Sequence, residues 1–304
     1  MITISSAKTV YTMSPDNAPV AHAESGDIVK FETLDRFSGQ ITNEEQHLDD
    51  INPDYMYPAT GPLYIEQAEP GDNLRVEIQK IEPGDHATIA ESPDGSIISW
   101  VFDDEATRIL PVKDGIVHFN NKLSFEISPM IGVIGTAPEK ESILTGTSDL
   151  HGGNMGCTRI GEETVVYLPV NVKGALLAMG DMRAIMGDGD VCDCGASIGG
   201  AVTVRVSVIK GWKMPYPILV TKDRFMIISS GHLLDDIAQR ATLYMHGFLM
   251  SELGMDEHSA GMILSLCSDL RICQVSEPVG NDSQCTCRIE VPIEVAKEYG
   301  YSFE

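Results

Sequence analysis

Alternating apolar and polar residues run through most of the first 230 residues, and turn signals separate one alternating run from the next. Two of these runs, at 28–35 and 73–82, each follow a Gly-Asp turn. A period of two places the apolar side chains on one face of a β-strand. Because such runs are numerous and few helical stretches interrupt them, they favour antiparallel sheets packed as a sandwich or a barrel. The sequence therefore predicts a mainly β, sandwich-like fold with antiparallel sheets.

The period changes near the C-terminal end of the chain. From residue 232 to residue 250 the apolar residues recur at helical spacing, and Gly254 ends this run. Asp256 is placed to cap a second helix. No linker or low-complexity segment interrupts the pattern. The prediction is therefore one domain, residues 1–304, made of a β-rich part at 1–230, a helical pair at 231–270 and a closing strand at 284–296.

Net charge excludes two classes of partner. The 304-residue chain has 45 acidic and 21 basic side chains, which gives a formal net charge of −24. A nucleic-acid-binding protein needs clustered Lys and Arg to neutralise phosphates, and an anionic membrane surface would repel this chain. Small neutral molecules and cations can approach it freely. We therefore expect a small-molecule substrate, with no nucleic acid and no membrane as partner.

The cysteines and the first residues indicate a cytoplasmic protein. The chain has seven cysteines, an odd number, and its first ten residues lack a basic region followed by an apolar one. An odd count without a secretion signal is typical of reduced thiols in a cytosol. No apolar run approaches the roughly 20 residues needed to cross a bilayer. The expected location is therefore the cytoplasm.

The first chemical motif is DLHGGNMGC at 149–157. His151 offers a metal ligand or a base, and Asn154 offers an amide donor. Gly152 and Gly153 allow backbone amides to approach a ligand closely. The alternative is a tight turn that carries a surface histidine.

The second motif is GDMRAIMGDGDVCDCG at 180–195, which crowds Asp181, Arg183, Asp188 and Asp190 together with a further aspartate. Crowded carboxylates raise one another's pKa unless a cation lies among them. That cation could be Ca²⁺, Mg²⁺ or Zn²⁺, or Arg183 itself. An EF-hand is excluded, because the twelfth position from Asp188 is Gly199 instead of Glu. The alternative is an acidic, solvated turn.

A third motif, GASIG at 195–199, matches the nucleophile elbow G-x-S-x-G. That elbow needs a strand before the serine and a helix after it. The residues that follow, AVTVRVSVIK, alternate like a strand. We therefore exclude the elbow and expect Ser197 in a turn.

The order of several segments resembles the acetamidase/formamidase family. The resemblance is collinear over nearly the whole chain and is carried by 35–41, 52–81, 151–155, 167–181, 187–190 and 265–275. It implies a β-sandwich-like core with helical additions, a homodimer, and hydrolysis of small neutral amides to a carboxylate and ammonia. Some members, including a zinc-containing γ-lactamase, act on cyclic amides.

The resemblance also implies roles for individual residues. It suggests that His151, Asp181, Asp188 and Asp190 hold a divalent metal, zinc first, with calcium or magnesium as alternatives. Such a metal would polarise the amide carbonyl and lower the pKa of bound water toward ~7. Asn154 and the amides of Gly152 and Gly153 would hydrogen-bond the oxyanion. Asp35 is a further candidate acid, base or ligand, and Arg183 belongs to the catalytic set.

Three positions depart from the family pattern. Where members usually have Asp, His and Glu, this chain has Gly156, Arg183 and Asp190. An arginine cannot deprotonate to ligate a metal, but it can pair with carboxylates. We therefore hypothesise that Arg183 takes the place of a cation and neutralises Asp181, Asp188 or Asp190.

Three functions fit this pattern. The first is hydrolysis of small linear amides of the formamide and acetamide type by metal-assisted water attack. The second is a catalytically silent homologue that keeps the fold. The third is a hydrolase with a shifted substrate, such as a lactam or a carbamoyl compound.

Overall fold

A computed structural model describes residues 1–93, 96–193, 195–275 and 284–303. In these ranges the chain forms 23 strands and three α-helices. In chain order the strands are β1 (Ile2–Ile4), β2 (Thr9–Val10), β3 (Thr12–Met13), β4 (Ala21–Ala23), β5 (Ile28–Thr33), β6 (Ala59–Ile65), β7 (Asn73–Pro83), β8 (His86–Glu91), β9 (Ala106–Lys113), β10 (Ile116–His118), β11 (Ser124–Glu126), β12 (Met130–Gly135), β13 (Ile143–Leu144), β14 (Ser148–Asp149), β15 (Gly152–Asn154), β16 (Val165–Pro169), β17 (Leu177–Ile185), β18 (Ala196–Ile198), β19 (Gly200–Ile209), β20 (Ile218–Val220), β21 (Arg224–Gly231), β22 (Asp269–Val275) and β23 (Cys285–Pro292). The helices are α1 (Leu234–Ser251), α2 (Glu257–Cys267) and α3 (Ile293–Glu298).

Two large sheets organise the described strands. The nine-stranded sheet has the order β1-β5-β19-β7-β16-β20-β21-β23-β22, so it combines strands from both ends of the chain. The twelve-stranded sheet follows β11-β10-β9-β8-β18-β17-β12-β15-β14, with β2, β4 and β6 attached beside β17. Most neighbours in both sheets are antiparallel, whereas β1 pairs with β5 and β4 with β6 in parallel. The division of the chain into domains stays a prediction.

The apolar faces of the two sheets share one core. Alternation in β5 buries Val29 and Phe31, and alternation in β7 buries Val76, all with no exposed surface. These side chains belong to the same buried cluster as Ile134 of β12 and Met179 of β17, which lie in the other sheet. The predicted mainly β class is therefore confirmed, and period-two alternation is its physical cause.

The helical pair covers one end of the nine-stranded sheet. The buried residues of α1 pack in a second apolar cluster with residues of β21 and β23. Asp256 caps α2, as its position predicts: its carboxylate accepts hydrogen bonds from the backbone N–H groups of His258 and Ser259, at 3.1 and 3.0 Å. The predicted pair of helices near the C-terminal end is confirmed.

The predicted closing strand is too long. A strand does form at its start, but β23 ends at Pro292 and α3 occupies Ile293–Glu298. Proline has no N–H group to extend a ladder, and it is well tolerated at the start of a helix. Ile293 and Ala296 are buried on the helical face that results. The last residues of the predicted strand therefore turn back as a helix.

The aromatic packing under α1 generates a prediction about stability. Phe248 is 1% exposed, and its ring centroid lies 5.5 Å from that of Phe225 and 5.8 Å from that of Phe303. We expect Phe248→Ala to lower the free energy of unfolding by about 3–5 kcal/mol, because truncating a buried ring leaves a cavity. Leu243, on the same helix but 62% exposed, provides the control. Leu243→Ala should change stability by less than about 0.5 kcal/mol in urea unfolding followed by circular dichroism. Equal losses in both variants would contradict this packing.

Candidate active site

One cavity joins the two glycine-rich motifs. Its volume is about 530 Å³, within the range of small-molecule sites. Asn154 comes to its wall from the first motif, and Asp190 and Asp193 come from the second. Tyr57 and Gln274 also line it. The structure therefore brings the two motifs to one cavity.

The remaining predicted site residues do not line this cavity, as far as the described residues define its wall: they are Asp35, His151, Gly152, Gly153, Asp181, Arg183 and Asp188. Direct contact with a small molecule in the cavity therefore falls to Asn154 and Asp190 among the predicted residues. The other predicted residues can influence such a molecule only through the residues that they contact.

The two glycines of the first motif allow β15 to pack closely against its surroundings. Gly152 and Gly153 have φ angles of +98° and +90°, a region that side chains other than glycine rarely adopt. A Cβ atom at Gly152 would lie 2.3 Å from the carbonyl oxygen of Ile134, and one at Gly153 would lie 2.1 Å from that of Thr147. Only glycine fits, and the result is that Asn154 is placed at the cavity.

His151 is a buried, neutral imidazole. It is 3% exposed, which contradicts the alternative of a surface histidine in a turn. Burial lowers its pKa to about 4, although the nearby Asp149 charge acts in the opposite direction. Its Nε2 atom is buried and finds no hydrogen-bond partner among the described residues. The imidazole is therefore uncharged at neutral pH.

Arg183 lies among carboxylates in the interior. Its Nη1 atom is 3.2 Å from Oδ1 of Asp181, and the two side chains are 3% and 0% exposed. Burial raises the pKa of Asp181, and the charge of Arg183 opposes this effect. Burial also raises the pKa of Asp190, again with Arg183 as the largest opposing charge. The hypothesis that Arg183 neutralises neighbouring aspartates therefore agrees with this geometry for Asp181 and Asp190.

A second guanidinium, Arg36, is not among the residues that the sequence motifs single out. Its Nη2 atom lies 2.6 Å from Oδ2 of Asp193, and its guanidinium carbon stands 4.6 Å from the centre of the Tyr57 ring. The phenol oxygen of Tyr57 accepts a hydrogen bond from the same guanidinium. Arg36 follows Asp35 in a segment that carries the family resemblance, so the sequence does mark its position. The sequence does not mark its partner, because 157 positions separate Arg36 from Asp193.

Ser197 has a structural role beside this pair. The hydroxyl oxygen accepts a hydrogen bond from the backbone N–H of Arg36 at 2.7 Å and lies 3.5 Å from Oδ1 of Asp181. Ser197 lies in β18 and β19 follows it, so the exclusion of a nucleophile elbow is confirmed and the expected turn is wrong. Alternation through 196–198 continues the sheet where a turn was expected.

Asp35 lies at the edge of the same group of charges. Its Oδ1 atom accepts a hydrogen bond from the backbone N–H of Gly39 at 2.8 Å. Burial raises the pKa of Asp35, while this hydrogen bond and the charges of His86 and Arg183 partly offset the effect. Asp35 is therefore an electrostatic neighbour of Arg183.

Asp188 belongs to a different set of contacts. Its two carboxylate oxygens accept hydrogen bonds from Nη1 and Nη2 of Arg288 at 2.8 and 2.7 Å, and Oδ1 also accepts one from Thr158 at 2.6 Å. Burial acts to raise the pKa of Asp188, but these hydrogen bonds outweigh it and lower the pKa. Asp188 therefore fastens the second motif to β23.

The residues do not fit the divalent metal that the resemblance implies. Within the ranges that the structure describes, no three His, Cys, Asp or Glu side chains are grouped to hold a metal ion. Asp181 is paired with Arg183 and Asp188 with Arg288, so guanidinium groups already neutralise these carboxylates. A guanidinium has only N–H donors and cannot act as a ligand. These carboxylates are therefore not free to bind a metal ion in this arrangement.

Gln274 fills the space in front of Gly156. A Cβ atom at Gly156 would lie 2.3 Å from Oε1 and 3.1 Å from Cβ of Gln274. The Nε2 atom of Gln274 donates a hydrogen bond to the backbone carbonyl of Asn154 at 2.9 Å. The absence of a side chain at position 156 and the presence of Gln274 are therefore complementary, and together they fix the backbone at Asn154.

This complementarity predicts coupled stability effects. Gly156→Ala should destabilise the protein by about 1–3 kcal/mol, because the new methyl group collides with Gln274. In a Gln274→Ala background the loss should fall toward the cost of the positive φ angle, which is about 1 kcal/mol, because only the contact with Cβ at 3.1 Å remains. A double-mutant cycle from chemical unfolding measures the difference.

Gly115 is the matched control for this cycle. It also has a positive φ angle, +78°, but nothing lies within 4 Å of the position that a Cβ atom would take there. Gly115→Ala should therefore cost the same in both backgrounds. Strict additivity of Gly156→Ala and Gln274→Ala would show that the two positions do not compete for space.

The ion pair of Asp188 predicts a pH-dependent contribution to stability. The folded pKa lies below the ordinary value of about 3.9, so the contribution is present above that value and is lost as pH falls through the lowered one. Asp188→Asn should lower the thermal midpoint at pH 6–7, and the difference from wild type should shrink below about pH 4. The exposed Asp104→Asn serves as control. A difference that stays constant from pH 7 to pH 3 would rule out this ion pair as its cause.

The fold and the cavity together define a mainly β protein with a cavity sized for a small molecule and lined by carboxylates and amides of both motifs. The model of the Acetamidase/Formamidase family matches residues 6–148 and 141–260. This confirms the resemblance, and the chain belongs to the acetamidase/formamidase family.

Solved structures and a curated relative agree. The chain is 41% identical to the acetamidase of Bacillus halodurans, with a TM-score of 0.95 over 98% of this chain and 100% of that one. It is 35% identical to a crystallised predicted acetamidase/formamidase from Thermoanaerobacter tengcongensis, with a TM-score of 0.95 over 99% of each chain. A putative formamidase of Schizosaccharomyces pombe is 26% identical over 259 residues, which cover 64% of this chain and 63% of that protein. The chain thus spans somewhat less than two thirds of that relative.

The lengths and compositions of the helices can be compared with those of a membrane-spanning segment. Among the described residues, no helix combines the length and the apolar character that a bilayer span requires.

Proposed function

We propose that this chain hydrolyses the C–N bond of small linear amides to a carboxylate and ammonia. The observation that carries the proposal is the cavity that both an amide residue, Asn154, and a buried carboxylate residue, Asp190, line. Relatives of the same family are named acetamidase and formamidase. Attack on an amide needs a group that accepts a proton from water and a donor for the oxyanion, and these two residues are of the required types.

Asp190 is the general base of this proposal. It is 6% exposed, and its Oδ1 atom accepts a hydrogen bond from the backbone N–H of Gly195 at 3.1 Å. That contact orients the carboxylate, and burial raises its pKa, which makes it a stronger proton acceptor. Asp190 takes a proton from the attacking water. It returns that proton to the leaving nitrogen when the C–N bond breaks.

Asn154 supplies the donor for the oxyanion. Its backbone is fixed by the hydrogen bond from Gln274 and by the pairing of β15 with β12. A donor held in advance can stabilise the tetrahedral intermediate without reorganising. Arg183 acts on Asp190 by its charge, which opposes the increase in pKa caused by burial and by the charge of Asp193. Catalytic roles for His151 and Asp35 stay predictions, as do the homodimer and the cytoplasmic location.

A catalytically silent or substrate-shifted homologue is the second candidate. The observation that favours it is the pairing of Arg183 with Asp181 together with the absence of a side chain at Gly156, since positions 183 and 156 depart from the usual family pattern. A lactam or a carbamoyl compound is the substrate class for the shifted form.

Ammonia release from formamide, acetamide and a panel of lactams tests these proposals, with and without added Zn²⁺. We expect turnover of linear amides that does not depend on the metal. Asp190→Asn and Asn154→Ala should each lower kcat/KM by at least about 100-fold. Asp104→Asn, at an exposed position, is the control.

The outcomes separate the candidates. Turnover of lactams alone would establish the shifted substrate, and no turnover under any condition would establish the silent homologue. Activity that appears only with Zn²⁺ would overturn the metal-independent route.

A further inference from the structure

A second cavity shares Asp190 with the first one, and its wall is mostly apolar. Its volume is about 330 Å³. Leu110 of β9, Val117 of β10 and Phe125 of β11 line it on one side, and Ile185 at the end of β17 lines it on the other. An apolar cavity of about 150 Å³ already accommodates benzene, so this one has room for a longer chain or a substituted ring.

Asp190 belongs to the walls of both cavities. Its carboxylate accepts a hydrogen bond from the N–H of Gly195, which lines the apolar cavity, while Asp193 lines the first cavity. Asp190 is therefore the carboxylate that the two cavities share. A cavity that is mostly apolar with one convergent polar group is typical of a small-molecule site.

We infer that the apolar cavity binds the acyl group of the amide substrate, with its carboxamide held at Asp190. This inference rests on the proposed function and names its substrate class: primary amides with an aliphatic or aromatic acyl group of about six to eight carbons. The reaction is unchanged. Water adds to the carbonyl carbon, the C–N bond breaks, and the products are a medium-chain or aromatic carboxylate and ammonia.

The mouth of the cavity is accessible to such a substrate. Phe125 is 46% exposed and Val191 is 50% exposed, and both line the cavity. Burying each additional methylene group is worth a factor of about four in binding. An uncharged amide can approach the acidic protein without an electrostatic penalty. The carboxylate product is repelled by Asp190 and by the net negative charge of the protein, and this repulsion favours its release.

The test is a homologous series of amides. We expect kcat/KM to rise from acetamide through butyramide to hexanamide, by about twofold to fourfold per methylene group. Two variants probe the wall: Ile89→Trp, which fills the cavity, and Phe125→Ala, which removes part of its mouth. Each should lower the ratio of hexanamide to acetamide kcat/KM by about tenfold.

Leu123 provides a matched control. It is 50% exposed, precedes Phe125 by two positions and does not belong to the described wall of either cavity. Leu123→Ala should therefore keep the wild-type ratio.

Calorimetric titration with hexanamide separates this inference from the proposed function. If acetamide is hydrolysed and the ratio does not rise with chain length, the inference is overturned and the proposed function stands. If no amide is hydrolysed but hexanamide binds and Ile89→Trp abolishes binding, the cavity is supported and the catalytic proposal fails. If hexanamide does not bind, or if Ile89→Trp and Phe125→Ala change only the molar mass in light scattering, the cavity is not a substrate site.

Discussion

Internal neutralisation of carboxylates by guanidinium groups is the interaction on which the site depends. Asp181 is completely buried, and withdrawing an ion from water costs several kcal/mol unless a partner compensates for it. Arg183 provides that partner, and Arg36 does the same for Asp193. The guanidinium groups remain charged throughout the range in which proteins function, so only the protonation of the carboxylates makes these pairs depend on pH. Asp190 experiences both charges, and its proton affinity is set by the balance between them and its burial.

Close backbone packing is the second constraint, and it connects the fold to the site. Gly152 and Gly153 let β15 lie where any side chain would collide with neighbouring carbonyl groups. Gly156 leaves room for Gln274, whose hydrogen bond then holds the backbone of Asn154. The glycines of the first motif thus contribute by lacking side chains, which lets neighbouring groups pack against the backbone. They position Asn154 at the cavity, and no glycine amide needs to touch the substrate for this purpose.

Much of the fold could be predicted, because it follows from local periodicity. Burial alternates in β5 as the sequence alternates, and Asp256 caps α2 because its carboxylate reaches N–H groups two and three residues away. Prediction failed where a long-range choice competes with a local one. The chain turns into α3 after Pro292, and Ser197 continues a sheet where a turn was expected. Pro292 gives a local signal for the first outcome, whereas the second depends on the pairing of Ser197 with Thr88 of β8, a strand distant in the sequence.

The sequence by itself determined the class of fold, the acidic surface and the two motifs that meet at the cavity. Tertiary structure alone decided the partners: Arg36 pairs with Asp193 across 157 positions, and Arg288 pairs with Asp188 across 100. Periodicity depends on residues that are close in the sequence, and composition depends on the sequence as a whole. Neither depends on how the sheets are arranged. The pairing of buried charges depends on which strands become adjacent, and that is settled only when the whole core packs.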